Sequence, residues 1–149
     1  MVLVKTAVSV LLAVFAACAF TPLAAAADGD QVVRVQDGKV RCLLSAHYLD
    51  RDYGAIVCER TDGQPFGGSP MSTGKFPEPL KLAFMSDTGA QYWIAGTVPG
   101  DPADDVVVGV GQSYQANGWT VMPEELRTLI RNDRFGGVLN VSPGDVRKR

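Results

Sequence analysis

Histidine and cysteine are both scarce in this chain, which has one histidine, His47, and three cysteines among 149 residues. A zinc site usually needs about four nitrogen and sulfur ligands, and this inventory supplies them poorly. Acyl transfer by a serine or cysteine needs a histidine base held by a carboxylate. Only His47 is available, with Ser45 two residues away and Asp50 and Asp52 nearby in sequence. A triad can be drawn from these residues, but no spacing enforces it. Gly67-Gly68-Ser69 and Gly111-Gln112-Ser113 both fail the Gly-x-Ser-x-Gly elbow. Asp101, Asp104 and Asp105 offer oxygens to a cation, yet the central glycine and closing glutamate of a calcium loop are missing. No catalytic residue, metal ligand or cofactor is assigned.

Positive charge is also thin. Lys plus Arg number 14 against 16 Asp plus Glu, a formal net charge of −2. Nucleic-acid binding needs a concentrated basic surface, so that class of partner is not expected. The one basic cluster, Arg147-Lys148-Arg149, reads as a solvated tail.

Long apolar runs are absent except at the start. Lys5 precedes the nearly unbroken apolar stretch Thr6–Phe20, and Ala25-Ala26-Ala27 precedes the polar Asp28-Gly29-Asp30. That order describes a secretory signal peptide over residues 1–27, cleaved after Ala27. The run is short of the ~20 residues of a membrane span, and no basic stop-transfer cluster follows it. Lipidation at Cys18 is the weaker alternative. Phe15 is bulky for that motif, and the residues after Cys18 stay apolar. Cleavage leaves residues 28–149 as a single domain with no integral membrane span. Among the charges it removes only Lys5, moving the net charge from −2 to −3.

What the chain does have is alternation. Val40, Cys42, Leu44, Ala46 and Tyr48 fall on one side of an extended segment, and Arg41, Leu43, Ser45 and His47 on the other. A period of two marks a half-buried strand with its polar side in solvent. Leu49–Gly54 turns the chain, and Ala55–Arg60 resumes the pattern with Ile56 and Cys58 on one face. Cys42 and Cys58 then point into the same core, and an even count in an exported domain predicts a disulfide. Closing that loop contributes about 3 kcal/mol. Asp37-Gly38 suits a type I′ turn between Val32–Gln36 and Lys39–Cys42. Leu80–Val98 reads as a second hairpin with Trp93 on its polar side, and Val106–Val110 as a buried strand. Tyr114, Trp119 and Val121 extend the sheet around Ala116-Asn117-Gly118. Pro123–Arg131 fits a short helix in its first half. Its second half fits a strand, Thr128–Asn132, paired with Val138–Ser142. The expected fold class is all-β, a small antiparallel sandwich or partly closed barrel with one disulfide.

Thr61–Pro79 differs in kind. It holds four glycines and four prolines, and loops of this length inside a compact domain are usually functional or disordered. Phe66, Met71 and Phe76 are apolar residues that can anchor it. Of the aromatics Tyr92, Trp93, Tyr114 and Trp119, Trp93 is the one expected to be exposed.

The run Gly111-Gln112-Ser113-Tyr114-Gln115-Ala116-Asn117-Gly118-Trp119-Thr120-Val121, followed by Asn132-Asp133, a glycine-bearing turn and Val141-Ser142, resembles a group of small exported actinobacterial proteins of mycobacterial type. Gly38-Lys39-Val40-Arg41-Cys42 and Cys58 fit the same picture. Where that group has Gly-His-Gly after the Asn-Asp turn, this chain has Gly136-Gly137-Val138, so no role for that histidine transfers. The resemblance implies a disulfide-bonded envelope or secreted protein and supplies no activity.

The function expected from these readings is a non-enzymatic domain binding a ligand or protein partner in the envelope or outside the cell. Thr61–Pro79 and Pro99–Asp105 would form its contact surface, with Phe66, Met71 and Trp93 as candidate binding residues. A secreted hydrolase using His47 with a nearby Ser or Asp is the alternative, and a structural wall component is a third class.

Overall fold

The structure is a computed structural model describing residues 23–24 and 29–149. Cys18 and the cleavage site after Ala27 lie outside the described residues. The leader reading is represented there by one element, β1 (Leu23–Ala24), which pairs parallel with Tyr114–Gln115.

The remaining elements in chain order are β2 (Gln31–Val35), β3 (Val40–Ser45), β4 (Ala55–Arg60), β5 (Leu82–Ser86), β6 (Gln91–Ile94), β7 (Val106–Val107), β8 (Tyr114–Ala116), β9 (Trp119–Pro123), β10 (Thr128–Asn132), β11 (Val138–Ser142) and β12 (Asp145–Lys148). They form two six-stranded sheets that do not close into a barrel. The N-terminal sheet runs β6-β5-β4-β3-β2-β7 and the C-terminal sheet β1-β8-β9-β10-β11-β12. All pairings are antiparallel except β2 with β7 and β1 with β8. The architecture is the all-β sandwich expected from the alternation.

Hairpin chemistry sets the registers. Asp37 and Gly38 have φ of 54° and 80°, and the Lys39 N–H donates to the Gln36 carbonyl. This is the type I′ geometry expected of Asp-Gly. Asn117 and Gly118 repeat it at the β8–β9 turn, with φ of 53° and 80°. The β2–β3 turn places Val33 opposite Cys42, and the next pairing places Cys42 directly opposite Cys58. The two Cα atoms are 4.1 Å apart and the disulfide is formed.

The main core lies between the sheets. Val33, Cys42, Leu44, Ile56, Cys58, Ala83 and Met85 from one sheet meet Tyr114, Trp119, Val121, Ile130, Leu139 and Val141 from the other. Side-chain hooks latch the layers at four places, one of them Asn117 Nδ2–H donating to the Leu44 carbonyl. Trp119 Nε1–H donates to the Ser45 carbonyl, Gln36 Nε2–H donates to Thr128 Oγ1 and the Glu124 carbonyl, and Arg60 donates to the Pro143 carbonyl.

The opposite face of the N-terminal sheet is not the wet side that alternation implied. Leu43, Ala55, Val57, Leu82 and Phe84 form a second core there, closed by Val98 and by the partly buried Val32, Tyr48, Tyr53 and Ile94. Arg41, on this face, is 5% exposed. It donates to both oxygens of Asp105, at 2.7 and 3.0 Å, and to Glu59 at 3.0 Å. Its remaining donors reach the carbonyls of Val98, Pro99 and Gly100. The connection after β6 is thereby clamped across the sheet as a third layer.

Several elements depart from the sequence reading. β3 ends at Ser45, because the chain folds into a 3₁₀ turn at Tyr48–Asp50 instead of continuing to Tyr48. The valine run forms only the two-residue β7, since its parallel pairing with β2 ends after Val107, and Val107 and Val110 are exposed. No helix forms at Pro123. That residue ends β9, and the Glu124 N–H donates to the Arg127 carbonyl to close a tight turn into β10. Arg147-Lys148 is not a loose tail but part of β12, paired with β11. Among the described residues, no helix is long and apolar enough to cross a membrane.

Candidate functional site

Two surfaces hold large apolar side chains in solvent on pinned backbone. The first is the Thr61–Pro79 loop. It leaves β4 pinned from below, with Phe66 buried and its ring 6.1 Å from that of Trp93. The Gly67 N–H donates to the Pro143 carbonyl, and a Cβ at Gly67 would lie 2.0 Å from the Gly144 carbonyl oxygen. Only glycine permits so close a backbone approach. Beyond this anchor the loop forms a narrow finger. Met71 bridges to Pro79, the Ser72 N–H donates to the Glu78 carbonyl, and the Leu80 N–H donates to the Pro70 carbonyl. Phe76 at the tip is 80% exposed and Met71 is 53% exposed. Of the three expected anchors, then, Phe66 anchors the loop while Met71 and Phe76 are displayed.

Trp93 is not the exposed aromatic of its strand. It pairs with Ala83, on the disulfide-facing side of β5, and packs partly buried against the main core. Tyr92 is the residue turned the other way, and it is 46% exposed. Both faces of β6 carry one aromatic and one other side chain, so composition alone does not choose between them. The register with β5 does.

The second surface is the β3–β4 connection, residues 46–54. The Tyr48 N–H donates to the Tyr53 carbonyl, and the Arg51 N–H to the Tyr48 carbonyl. The base of the connection is tied to the β5–β6 turn. Gly54 N–H donates to the Asp87 carboxylate and the Asp87 N–H to the Gly54 carbonyl, both at 2.8 Å. Within it, Leu49 and Asp50 both take the left-handed conformation, with φ of 52° and 59°. Two successive non-glycine residues there store backbone strain, which persists only where the surroundings hold it. The result is that Leu49 stands out, 68% exposed.

Beside this crest, Tyr48 lies edge-on to Phe84 at 5.2 Å between ring centroids, and Tyr53 is 6.4 Å from Tyr48. Tyr92 stacks on the other flank of Phe84 at 4.5 Å. Three of the four tyrosines in the chain thus gather at one end of the N-terminal sheet. Burial, reinforced by Tyr53 and Tyr92, pushes the Tyr48 phenol above its ordinary value. On the far side of Leu49 is a groove of about 680 Å³ lined by Asp30, Ala46, His47, Leu49, Asp50 and Asn117. Asn117 Nδ2–H donates to the carbonyls of Gly29 and Leu44 and holds the groove floor together.

His47 therefore lies on an exposed loop at this groove, not on a strand. Ser45 is fully buried, and its Oγ has no hydrogen-bond partner among the described residues. The hydrogen bond that a Ser–His nucleophile requires is not formed. Among the described residues, no group of three or more His, Cys, Asp or Glu side chains is placed to hold a metal ion.

The Pro99–Asp105 segment is held as a fixed lid. Burial would raise the Asp105 carboxyl, but the hydrogen bonds and charges of Arg41 and Arg34 outweigh it and hold the group below the usual carboxylate range. Arg34 donates to Asp105 from the neighbouring strand, at 3.1 and 3.3 Å. In the sequence, Asp105 is one oxygen donor in an acidic loop. Its partners lie 64 and 71 positions away, so no local pattern reveals them. Comparison with protein-family models, curated proteins and solved structures finds no match to this chain, and the chemistry of these surfaces rests on their own residues.

Proposed function

We propose that this protein is an exported, disulfide-stabilised, non-enzymatic domain that binds a ligand or protein partner in the cell envelope or outside the cell. The Thr61–Pro79 finger is its contact surface. The observation that carries this reading is Phe76. A large apolar side chain is held in water by a loop fixed at Phe66, Gly67 and the Met71–Pro79 bridge. Exposing such a residue on a pinned loop costs solvation with no return in the isolated domain, and anchors of this kind characterise interfaces. Export is supported by the leader-like residues 1–27 and by a buried disulfide, which persists in oxidising compartments. The resemblance of the C-terminal third to exported actinobacterial proteins points the same way.

A photo-crosslinking residue at position 76, in protein expressed with its natural leader, tests the contact. A discrete adduct is expected from position 76 and none from an exposed control at Thr97. Met71→Ser in the same chain should weaken the adduct. Equal labelling from both positions would overturn the assignment of the finger. Recovery of the protein only in the cytoplasm, with its leader intact, would overturn export.

A further inference from the structure

We infer that the outer edge of β8 is an acceptor slot for an extended peptide, and that its own occupant is the leader segment Leu23–Ala24, paired parallel along it. Once residues 1–27 are removed, the slot takes an extended peptide of the same neutral, leader-like chemistry from another molecule. The opening of the slot rests on the cleavage that accompanies export as proposed above. The slot itself does not, and it is separate from the finger.

The β8–β9 hairpin fixes which backbone groups are free. Its two-residue turn, Asn117-Gly118, makes Ala116 and Trp119 a pair that exchanges both hydrogen bonds, and Tyr114 and Val121 the next such pair. Gln115, opposite Thr120 between them, therefore directs its backbone N–H and carbonyl away from β9, toward the outside of the sheet. Leu23–Ala24 lies on that side, with Leu23 in register with Tyr114 and Ala24 with Gln115. The sheet order is β1-β8-β9, so without the leader β8 is the outermost strand and the Gln115 backbone faces no neighbour.

Two further features keep this edge open to strand addition. The stretch from Val106 to Pro123 carries no charged residue, whereas β12, at the other edge of the same sheet, carries Asp145, Arg147 and Lys148. Charged side chains are a common means of keeping an edge strand from pairing, and β8 lacks them. The chain that remains after cleavage also enters beyond the slot. The Asn117 Nδ2–H holds the Gly29 carbonyl at the turn end of β8, and β2 then joins the other sheet. The class of occupant follows from the segment seated there. Thr21–Ala27, Thr-Pro-Leu-Ala-Ala-Ala-Ala, is neutral, and in strand addition the main-chain hydrogen bonds supply the affinity.

Amide exchange followed by NMR tests this in two defined proteins with the disulfide formed, the unprocessed chain 1–149 and the processed chain 28–149. The Gln115 amide should exchange about tenfold more slowly in the unprocessed chain. A synthetic Thr21–Ala27 peptide at millimolar concentration should shift Tyr114, Gln115 and Ala116 in the processed chain and slow Gln115 exchange. The same peptide with Leu23→Pro and Ala24→Pro, which lacks those two N–H donors, should do neither. Gln115→Pro should abolish the response yet keep the β9–β12 spectrum, because β9 does not use the Gln115 N–H. If that variant does not fold, the wild-type comparison and the proline peptide decide. Equal Gln115 exchange in the two chains, peptide shifts located elsewhere, or an equal response to the proline peptide would overturn the slot. Protection of Gln115 in the processed chain alone, rising with protein concentration, would overturn the leader-like occupant and assign the edge to a second copy. Intact mass of the exported protein checks cleavage separately, and a chain that keeps residues 1–27 overturns only the opening step.

Discussion

Asp105 shows how much of this molecule depends on single side chains. Its carboxylate is 1% exposed and lies between the guanidinium groups of Arg41 and Arg34. Replacing it with asparagine would leave the buried Arg41 with Glu59 as its remaining counter-charge, and weakening a buried charged network in this way costs about 1–3 kcal/mol. Asp105→Asn should therefore lower the denaturation midpoint in urea, whereas Asp104→Asn, at the adjacent exposed position, should leave it nearly unchanged. The pH dependence follows from the depressed carboxyl. A group whose folded value is below its unfolded value of about 4 stabilises fully above pH 4. That contribution is lost as pH falls from 4 through the folded value. Urea midpoints measured between pH 2 and 7 should show a loss below pH 4 that is smaller in Asp105→Asn. At this scale the sequence is least informative. Arg41 looked like a solvent-side residue because it alternates with Cys42, and nothing near it in sequence marks the carboxylate it meets.

Elements were more legible, and for a definite reason. Period-two alternation and Asp-Gly or Asn-Gly turns are local signals, so β2, β3, β4, β8, β9, β10 and β11 lie close to where those signals put them. The reading failed where a strand has no wet face. With Leu43, Val57 and Phe84 covered by a third layer, polarity no longer reports the side, and Trp93 was placed on the wrong one. It failed again where alternation ran past the strand, as at Ala46–Tyr48, because only the later contact with Phe84 pulls Tyr48 out of line. The Thr61–Pro79 loop was recognised as unusual by its glycines and prolines, but which glycine matters needed the fold. Gly67→Ala should force the loop off the β11–β12 turn, destabilising the domain by about 1–3 kcal/mol as overpacking does. Gly63→Ala, with open space around its Cβ, should cost less, chiefly through its left-handed backbone. Thermal unfolding of the two variants separates steric approach from backbone conformation.

Over the described residues, stability is shared between two sheets that meet through one core and four polar latches (at Trp119, Gln36, Arg60 and Asn117), with one disulfide within the N-terminal sheet. The crosslink joins adjacent antiparallel strands at a separation of 16 positions, so its effect is on the unfolded chain. Cys42→Ser with Cys58→Ser is expected to lower stability by about 3 kcal/mol in calorimetry or denaturant unfolding, with the native amide spectrum of the C-terminal sheet preserved. Intact mass of the wild-type domain before and after reduction should differ by two hydrogens.

Among the described residues, no disulfide cross-links one sheet to the other. Stretched from its two ends, the polypeptide should let the sheets part while the bonded hairpin stays shut, withholding roughly 50 Å of extension that appears only once a reductant is added.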